Sequence, residues 1–278
     1  MSQVKRLHLG CGYKTPAGWI NVDGSWNARL AKYPAVRQFV RRLRVLPNLL
    51  LDMPWSPDVL VHDVRMPLPF PDNSMSVIYA SHLMEHLYPN EARRLLGECF
   101  RVLEPGGVLR VVVPDLHAII LEYLGEGLIG DSTDSIHAFN RADRLNRRLL
   151  MREPDPGSAN AFHRIYTALT DFHSHKWMYD VESLTAFVQA EGFVDVQERG
   201  FLESLIRGIE EVEEAGRILD GAGICVEGTK PPVNTQSVTS VESQTGDERP
   251  MPVVNLSGLS ARSRLGTLLR LPLRLIPG

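Results

Sequence analysis

Two short apolar segments, each followed by residues suited to ligand binding, constrain the fold of this chain most strongly. The first, Leu7–Leu9, runs into the glycine pair of Gly10–Gly12, and the second, Ile20–Val22, ends on Asp23. In a doubly wound sheet the carboxyl ends of the strands form a crevice, where glycines let a ligand approach the backbone and a carboxylate can hold two ribose hydroxyls. The pattern predicts an α/β fold with a nucleoside-cofactor site.

The residues after the glycines discriminate between two cofactors. A dinucleotide fingerprint requires a third glycine where a helix begins beneath the pyrophosphate, and Thr15 occupies this position, followed by Pro16. This disfavours NAD. S-adenosylmethionine (SAM) has a ribose and an adenine but no phosphate, so it needs the glycine turn and the acid only. A glycine turn without a ligand remains an alternative at this point.

Three further motifs follow the glycine motif along the chain. Together the four are LGCG at 9–12, PLPFPDNS at 67–74, EHL at 85–87 and RVLEPGG at 101–107. Together they resemble the class I SAM-dependent methyltransferases, in particular the small-molecule "methyltransferase domain" (type 11-like) family, over roughly residues 5 to 230. The resemblance implies a Rossmann-like, seven-stranded, mostly parallel sheet with a final antiparallel strand, helices on both faces, and SAM as the cofactor. We expect strands at Val59–Asp63, Val77–Ala80 and Val108–Val113, and a helix at 91–103 capped by Asn90.

The resemblance also implies roles for individual residues at the strand ends. The carboxylate of Asp63 accepts a hydrogen bond from the adenine amino group, and the next backbone N–H, that of Val64, contacts the ring. His8 stands where many relatives carry an acid. The expected cofactor-binding residues are Gly10, Cys11, Gly12, Asp23, Asp63, Val64 and Ser81.

Methyl transfer to a hydroxyl requires alignment and a base that takes the hydroxyl proton, and histidine suits that role near neutral pH. We expect O-methylation of a sugar, glycolipid or other small molecule, with His175 as the first candidate base and His82 and His117 as the next. Glu85 and His86 are interpreted as mainly structural. In an alternative, a divalent ion bound by Asp115, His117, His173 and His175 acidifies a sugar diol.

Composition sets the compartment and the partners that we expect. The net charge is −3, the three cysteines are scattered without a CxxC pair, and there is no long apolar run or signal peptide. A cytoplasmic protein that does not bind nucleic acid is predicted, with an anionic or membrane-linked glycan or a small molecule as acceptor. The sequence leaves the oligomeric state open.

The predicted organisation is a methyltransferase domain at 1–230, a flexible linker at 231–255 and a basic amphipathic tail at 256–278. Within the domain, residues 25–57 form a basic helical insertion and residues 125–177 a substrate-pocket insertion. The basic insertion can lie on a membrane surface, bind an anionic substrate or form a solvated outer face, and the tail favours peripheral contact with the inner membrane face. An alternative function is a non-catalytic SAM-fold module, which the joint presence of Gly10, Gly12, Asp23 and Asp63 argues against.

Overall fold

The computed structural model describes residues 4–43, 54–125, 141–149 and 174–232. The chain divides into two units, Met1–Val233 and Asn234–Gly278, and all the described residues belong to the first. The predicted tail, nearly all of the predicted linker and most of the 125–177 insertion therefore lie outside the described residues. No helix in the described ranges is long and apolar enough to cross a bilayer.

Seven strands form one sheet in the order β3-β2-β1-β4-β5-β7-β6. All neighbouring pairs are parallel except those made by β7, which runs antiparallel to both β5 and β6. This confirms the predicted Rossmann-like sheet with its reversed last strand. The strands are β1 Arg6–Leu9, β2 Trp19–Asp23, β3 Leu60–Val61, β4 Met75–Ser81, β5 Leu103–Val113, β6 Val194–Glu198 and β7 Ile224–Thr229.

Helical segments flank both faces of the sheet, as predicted. The described α-helices are α1 Trp26–Ala31, α2 Pro34–Leu43, α3 Pro89–Val102, α4 Leu116–Leu124, α5 Arg141–Leu149 and α6 Val181–Ala190. Buried side chains of α3 and α6 pack with the strands in the larger core. The opposite face, which we call the covered face, lies under the cover segment, residues 199–223, which contains three short 3₁₀ helices. Apolar burial on the covered face comes from residues such as Ile206, Ile209 and Val212.

The connection between β1 and β2 is unusually short for parallel strands. Arg6 pairs with Trp19 at the start of the ladder, and the intervening residues form turns without a helix. Gly10, Gly12 and Gly18 all have positive φ, which lets the chain reverse within this loop. The chain therefore passes from β1 to β2 through a tight loop instead of a crossover helix.

A network of polar side chains holds the PLPFPDNS loop against α3. The Arg101 guanidinium donates to the carbonyl oxygens of Leu68 and Phe70 and to the carboxylates of Asp72 and Glu98. A side chain inside the RVLEPGG motif thus fixes the loop that carries the PLPFPDNS motif. This contact explains physically why the two motifs occur together.

Several predicted boundaries were wrong. Helix α3 begins at Pro89 and not at an Asn90 cap, because the Tyr88 N–H is satisfied by the Glu91 carboxylate and proline suits the first helical position. Strand β5 starts at Leu103, since the proline-glycine stretch remains within the ladder around a register shift. Strand β3, at the sheet edge, has only two residues.

The basic insertion is also different from the single helix that we expected. Proline begins the second helix, so the described part of the insertion contains α1 and α2. Val36 and Phe39 on α2 are largely exposed. These two apolar side chains of α2 therefore contribute little to the core of the domain.

Candidate active site

The glycine loop lies at the carboxyl end of β1. Gly10 has a φ of +64°, and a Cβ added there would lie 3.1 Å from Leu83 Cδ1. Gly12 has a φ of +57°, but a Cβ added there would meet nothing within 4 Å. Gly10 therefore packs closely against the residues after β4, whereas Gly12 faces open space that a ligand can occupy.

Asp23 stabilises this loop from the end of β2. Its carboxylate accepts one hydrogen bond from the Gly12 N–H at 3.0 Å and another from the Ser25 N–H at 2.8 Å. Asp23 is close to fully buried. The structure thus brings together the glycine and the acid that the sequence suggested for ribose binding, and it places the acid where it also shapes the loop.

Asp63 follows β3 at the neighbouring strand end. Its carboxylate forms a two-pronged ion pair with Arg65, with Nε 2.9 Å from Oδ1 and Nη2 2.7 Å from Oδ2. The side-chain hydrogen bonds from Arg65 lower the pKa of Asp63. An adenine amino group would therefore share the Asp63 carboxylate with the Arg65 guanidinium. The next residue, Val64, packs against the larger core.

Cys11 and Ser81, the other two expected cofactor residues, are both buried. Burial raises the pKa of Cys11 to about 12, so its thiol stays protonated at neutral pH. Its Sγ lies 3.4 Å from the Gly12 carbonyl oxygen. Ser81 ends β4, and its Oγ has no hydrogen-bond partner within the described ranges. Cys99 is buried in the larger core.

His82 stands immediately after β4 with a φ of +50°, an uncommon conformation for a residue with a side chain. Its ring is partly exposed and lies between two acceptors. Nδ1 is 3.3 Å from Glu85 Oε1, and Nε2 is 3.2 Å from the Arg217 carbonyl oxygen. The backbone strain and the two neighbours fix the ring at the carboxyl end of β4.

His175 approaches the same place from the segment that follows the 125–177 insertion. It is buried, and burial lowers the pKa of its imidazole. Its ring makes a T-shaped contact with His86 at 5.1 Å between centroids. The segment is tied to β5 through a bridge between Tyr179 and Asp115. His175 therefore lies near the ends of the central strands.

His117 and Asp115 serve a different purpose in the structure. The Asp115 carboxylate caps α4 by accepting a hydrogen bond from the His117 N–H at 2.8 Å. The His117 side chain is exposed. The group of possible metal ligands found in the described residues contains Glu85, His86 and His175, so neither Asp115 nor His117 is part of it. His173 lies outside the described residues.

The cover segment reaches the glycine loop and the end of β4. The Lys14 ammonium donates to the Glu213 carbonyl oxygen and lies 3.5 Å from the Glu214 carboxylate. Glu214 pairs with Arg217, whose Nη1 lies 3.4 Å from the Ser81 carbonyl oxygen. A line of alternating charges thus borders the crevice between β1 and β4.

Sequence reasoning missed two participants in this site. Glu85 was interpreted as structural, yet it faces His82 and lies beside His86 and His175. Arg217 was not singled out, although its carbonyl oxygen contacts His82. The available signal was the three-residue spacing of His82 and Glu85, whose side chains the turn after β4 brings together.

Comparison with known proteins agrees with this geometry. Residues 7–111 match the family model described as "Methyltransferase domain". A probable S-adenosylmethionine-dependent methyltransferase of Mycolicibacterium smegmatis is 44% identical over 48 residues, which are 17% of this chain and 18% of the relative. The match thus spans less than a fifth of the relative's length.

Solved structures with similar folds have low sequence identity. A SAM-dependent methyltransferase from Archaeoglobus fulgidus is 16% identical, with 82% of this chain and 87% of that chain covered and a TM-score of 0.43. One from Thermotoga maritima is 17% identical, with 83% of each chain covered and a TM-score of 0.40. The family match is confined to residues 7–111, from β1 to most of β5, and over that part the chain is similar to the Methyltransferase domain family.

Proposed function

We propose that this chain is a SAM-dependent methyltransferase that methylates a hydroxyl oxygen of a sugar, a glycolipid or another small molecule. The observation that carries the proposal is the arrangement at the ends of β1, β2 and β4. An open glycine position, a buried carboxylate and a histidine held between two acceptors converge there. SAM supplies the electrophilic methyl group. The protein binds SAM and the acceptor, orients them and removes the proton of the acceptor hydroxyl.

The residues at the first two strand ends fit SAM. Open space at Gly12 allows the cofactor to lie against the backbone. Asp23 has its carboxylate oxygens fixed by two backbone N–H groups, and each oxygen retains a lone pair for a ribose hydroxyl. Asp63 and Val64 would bind the adenine, and Cys11 and Ser81 would line the pocket.

His82 is the base that we favour. When the ring is neutral with its proton on Nδ1, that N–H faces Glu85. Nε2 lies 3.2 Å from the Arg217 carbonyl oxygen, so a substrate hydroxyl would have to displace this carbonyl before Nε2 could accept its proton. A base oriented by a carboxylate on its other side is a recurring catalytic arrangement. His175 is more deeply buried, and the exposed His117 lies at the start of α4, so both are weaker candidates for a role at the end of β4.

The surroundings of the crevice favour a polar acceptor with an apolar face. Trp177 is exposed next to buried His175, and its ring offers a surface on which a sugar ring can pack. Lys14 and Arg217 share one carboxylate, that of Glu214, at the border of the crevice, which leaves one net positive charge in this group. An acidic sugar or a phosphorylated glycan therefore suits the site.

Peripheral membrane contact remains part of the proposal. Helix α2 carries exposed Val36 and Phe39 among arginines, a composition typical of helices that bind anionic lipid surfaces. Co-sedimentation with vesicles containing anionic lipid tests this contact. Binding that is unchanged by Phe39→Ser would contradict a role for α2.

The enzymatic proposal is tested by incubating the protein with SAM labelled in the methyl group and a panel of sugars, sugar phosphates and lipid-linked glycans. We expect label in one hydroxyl-bearing class, with formation of S-adenosylhomocysteine. The variants His82→Ala, His175→Ala and His117→Ala are compared for turnover and SAM affinity. Loss of about 10²–10⁴-fold in turnover with SAM affinity intact is expected for His82→Ala.

An unchanged rate for His82→Ala would reject this residue as the base. SAM binding without transfer to any member of a broad panel would favour the non-catalytic module. Transfer to nitrogen and not to oxygen would correct the acceptor atom while leaving the methyltransferase activity intact.

A further inference from the structure

The fully buried carboxylate of Glu85 lies just beyond β4, and no described residue donates a hydrogen bond to it. Glu85 has no exposed surface, and neither carboxylate oxygen has a hydrogen-bond partner in the part of the chain that the structure describes. Removing a carboxylate from water is costly unless a cation or a donor compensates for it. The groups near Oε1 are imidazole nitrogens, His82 Nδ1 at 3.3 Å and His86 Nε2 at 4.0 Å.

His175 brings a second unsatisfied polar atom to the same place. Its Nδ1 is buried and has no hydrogen-bond partner within the described ranges. The ligand atoms of Glu85, His86 and His175 all lie within 4.8 Å of one another. Ligand atoms around a tetrahedral zinc ion are about 3.3 Å apart, given bonds of about 2.0–2.1 Å. Small side-chain rotations would therefore bring these three atoms around one ion.

The opposite sides of both imidazole rings are held as metal-binding histidines require. His86 Nδ1 lies 3.2 Å from the carbonyl oxygen of Ser174. The His175 ring has a hydrogen bond with the backbone of Leu149. Metal-ligating histidines usually give their second N–H to a carbonyl or a carboxylate, which fixes the tautomer and the ring orientation.

The two backbone segments that carry these side chains are fastened to each other. The N–H groups of Lys176 and Trp177 donate to the Glu85 carbonyl oxygen at 2.7 and 3.2 Å. The Lys176 ammonium donates to the His86 carbonyl oxygen at 2.9 Å. The three side chains therefore converge on a preformed framework, although they come from distant parts of the sequence.

We propose that Glu85, His86 and His175 bind one divalent transition-metal ion of the zinc type. Two imidazoles and one carboxylate suit Zn²⁺, Co²⁺ or Fe²⁺, whereas Mg²⁺ and Ca²⁺ prefer sites made of oxygen ligands. The site differs from the set formed by Asp115 and His117, and it does not include the cofactor-binding residues. Glu85 also faces the base in the function proposed above, so the metal site is tested by metal affinity and not by turnover.

The test uses the full chain after treatment with a chelator and dialysis. Zn²⁺ and Co²⁺ are titrated by calorimetry, and the visible absorption of bound Co²⁺ is recorded. We expect one equivalent to bind, and we expect Zn²⁺ to raise the thermal unfolding midpoint. Glu85→Gln, which keeps the size of the side chain, and His175→Ala should each weaken the affinity at least about 100-fold, since a direct ligand exceeds the 10–100-fold effect of outer-shell partners.

His117→Ala provides the matched control, because it removes an exposed histidine that lies outside the proposed set. Its metal affinity should stay within about twofold of the wild type, as expected for a residue without contact to the ion. Circular dichroism establishes that each variant is folded, and Glu85→Gln provides the answer if His175→Ala does not fold.

Absence of saturable binding to the wild type would overturn the proposal. Unchanged affinity in Glu85→Gln, or a loss in His117→Ala, would also overturn it. Titration of the metal-free wild type with SAM is performed in parallel. SAM binding without metal binding would reject only this site, whereas metal binding without SAM binding would reject only the proposed enzymatic function.

Discussion

Buried carboxylates occur on the covered face, at Glu213 and Glu227, and at the end of β4, at Glu85. The two places differ in how the negative charge is compensated. Arg110, at the centre of β5, is completely buried and donates to Glu213 and Glu227 at 2.8 Å each. The Leu202 N–H and the Ser204 hydroxyl add further donors. Glu85 is equally buried but receives no hydrogen bond from the described residues.

The difference separates a structural cluster from a candidate functional one. On the covered face, the buried carboxylates of Glu213 and Glu227 both pair with Arg110, and the network fastens the cover segment to the sheet. At the end of β4, the Glu85 carboxylate oxygens and His175 Nδ1 have no hydrogen-bond partner among the described residues, and a bound ligand or ion would satisfy them. Buried polar groups are normally paired, so an unpaired set indicates a missing partner.

The largest expected effect comes from breaking the paired cluster. Arg110→Met leaves Glu213 and Glu227 buried without a cation, which should lower the free energy of unfolding by about 3–5 kcal/mol. Urea denaturation measures this loss. Arg93→Met, which removes a surface pair with Glu191, should cost at most about 1 kcal/mol. Equal losses in the two variants would contradict the distinction.

The covered face also contains a histidine that should make stability depend on pH. His8 is packed against Trp19 and Tyr79, and burial lowers its pKa from 6.5 to about 4. The unfolded chain binds the proton more tightly, so stability is fully present above pH 6.5 and falls as the pH drops toward 4. The loss attributable to this residue is at most about 3 kcal/mol.

Denaturation of the wild type and His8→Gln across this pH range tests the assignment. The glutamine variant has no proton to gain and should lose less stability on acidification. Parallel curves for the two proteins would show that other groups cause the acid sensitivity.

The glycine loop offers a sharper comparison at the crevice. Gly10→Ala and Gly12→Ala both place a side chain at positive φ, which costs about 1–2 kcal/mol each. Only the Cβ added in Gly10→Ala would also contact the Leu83 side chain. Gly10→Ala should therefore be the less stable variant. Gly12→Ala should weaken SAM binding, and more so the closer the cofactor lies to this glycine. Equal stability of the two variants would contradict the close packing at Gly10.

The smallest expected effect concerns Glu85 itself. In metal-free protein, Glu85→Gln should leave stability within about 1 kcal/mol of the wild type or raise it, because it removes a buried charge without a partner. Glu213→Gln should instead cost about 1–3 kcal/mol through weakened bonds to Arg110. Denaturation of both variants in the presence of a chelator measures the contrast. A large loss in Glu85→Gln would indicate an internal partner.

The fold was largely predictable from sequence because its signals are local. The apolar strands and the glycine loop depend on neighbouring residues, and so does the cap of α6, where the Asp180 carboxylate accepts a hydrogen bond from the Ser183 N–H. The helix at α3 was predicted correctly, but its first residue was not. There, Tyr88 and Glu91 satisfy the helix end, which competes with the more usual asparagine cap.

The chemistry of the site was less predictable because it depends on contacts between distant segments. Arg110 lies in an apolar strand, and its partners come from the cover segment and from β7. Glu85 meets His175 only because the segment before α6 folds back onto the turn after β4. Nothing in the local sequence around either residue specifies these contacts.

The central claim, that the carboxyl ends of β1 and β2 bind SAM, is tested most directly by calorimetric titration with SAM, S-adenosylhomocysteine and NAD. Asp23→Ala removes the carboxylate at the crevice, and Asp58→Ala removes an exposed one before β3 as a matched control. We predict micromolar binding of SAM and S-adenosylhomocysteine, lost in Asp23→Ala and kept in Asp58→Ala, and no binding of NAD. Failure of the folded wild type to bind either compound, or equal binding by Asp23→Ala, would contradict the account.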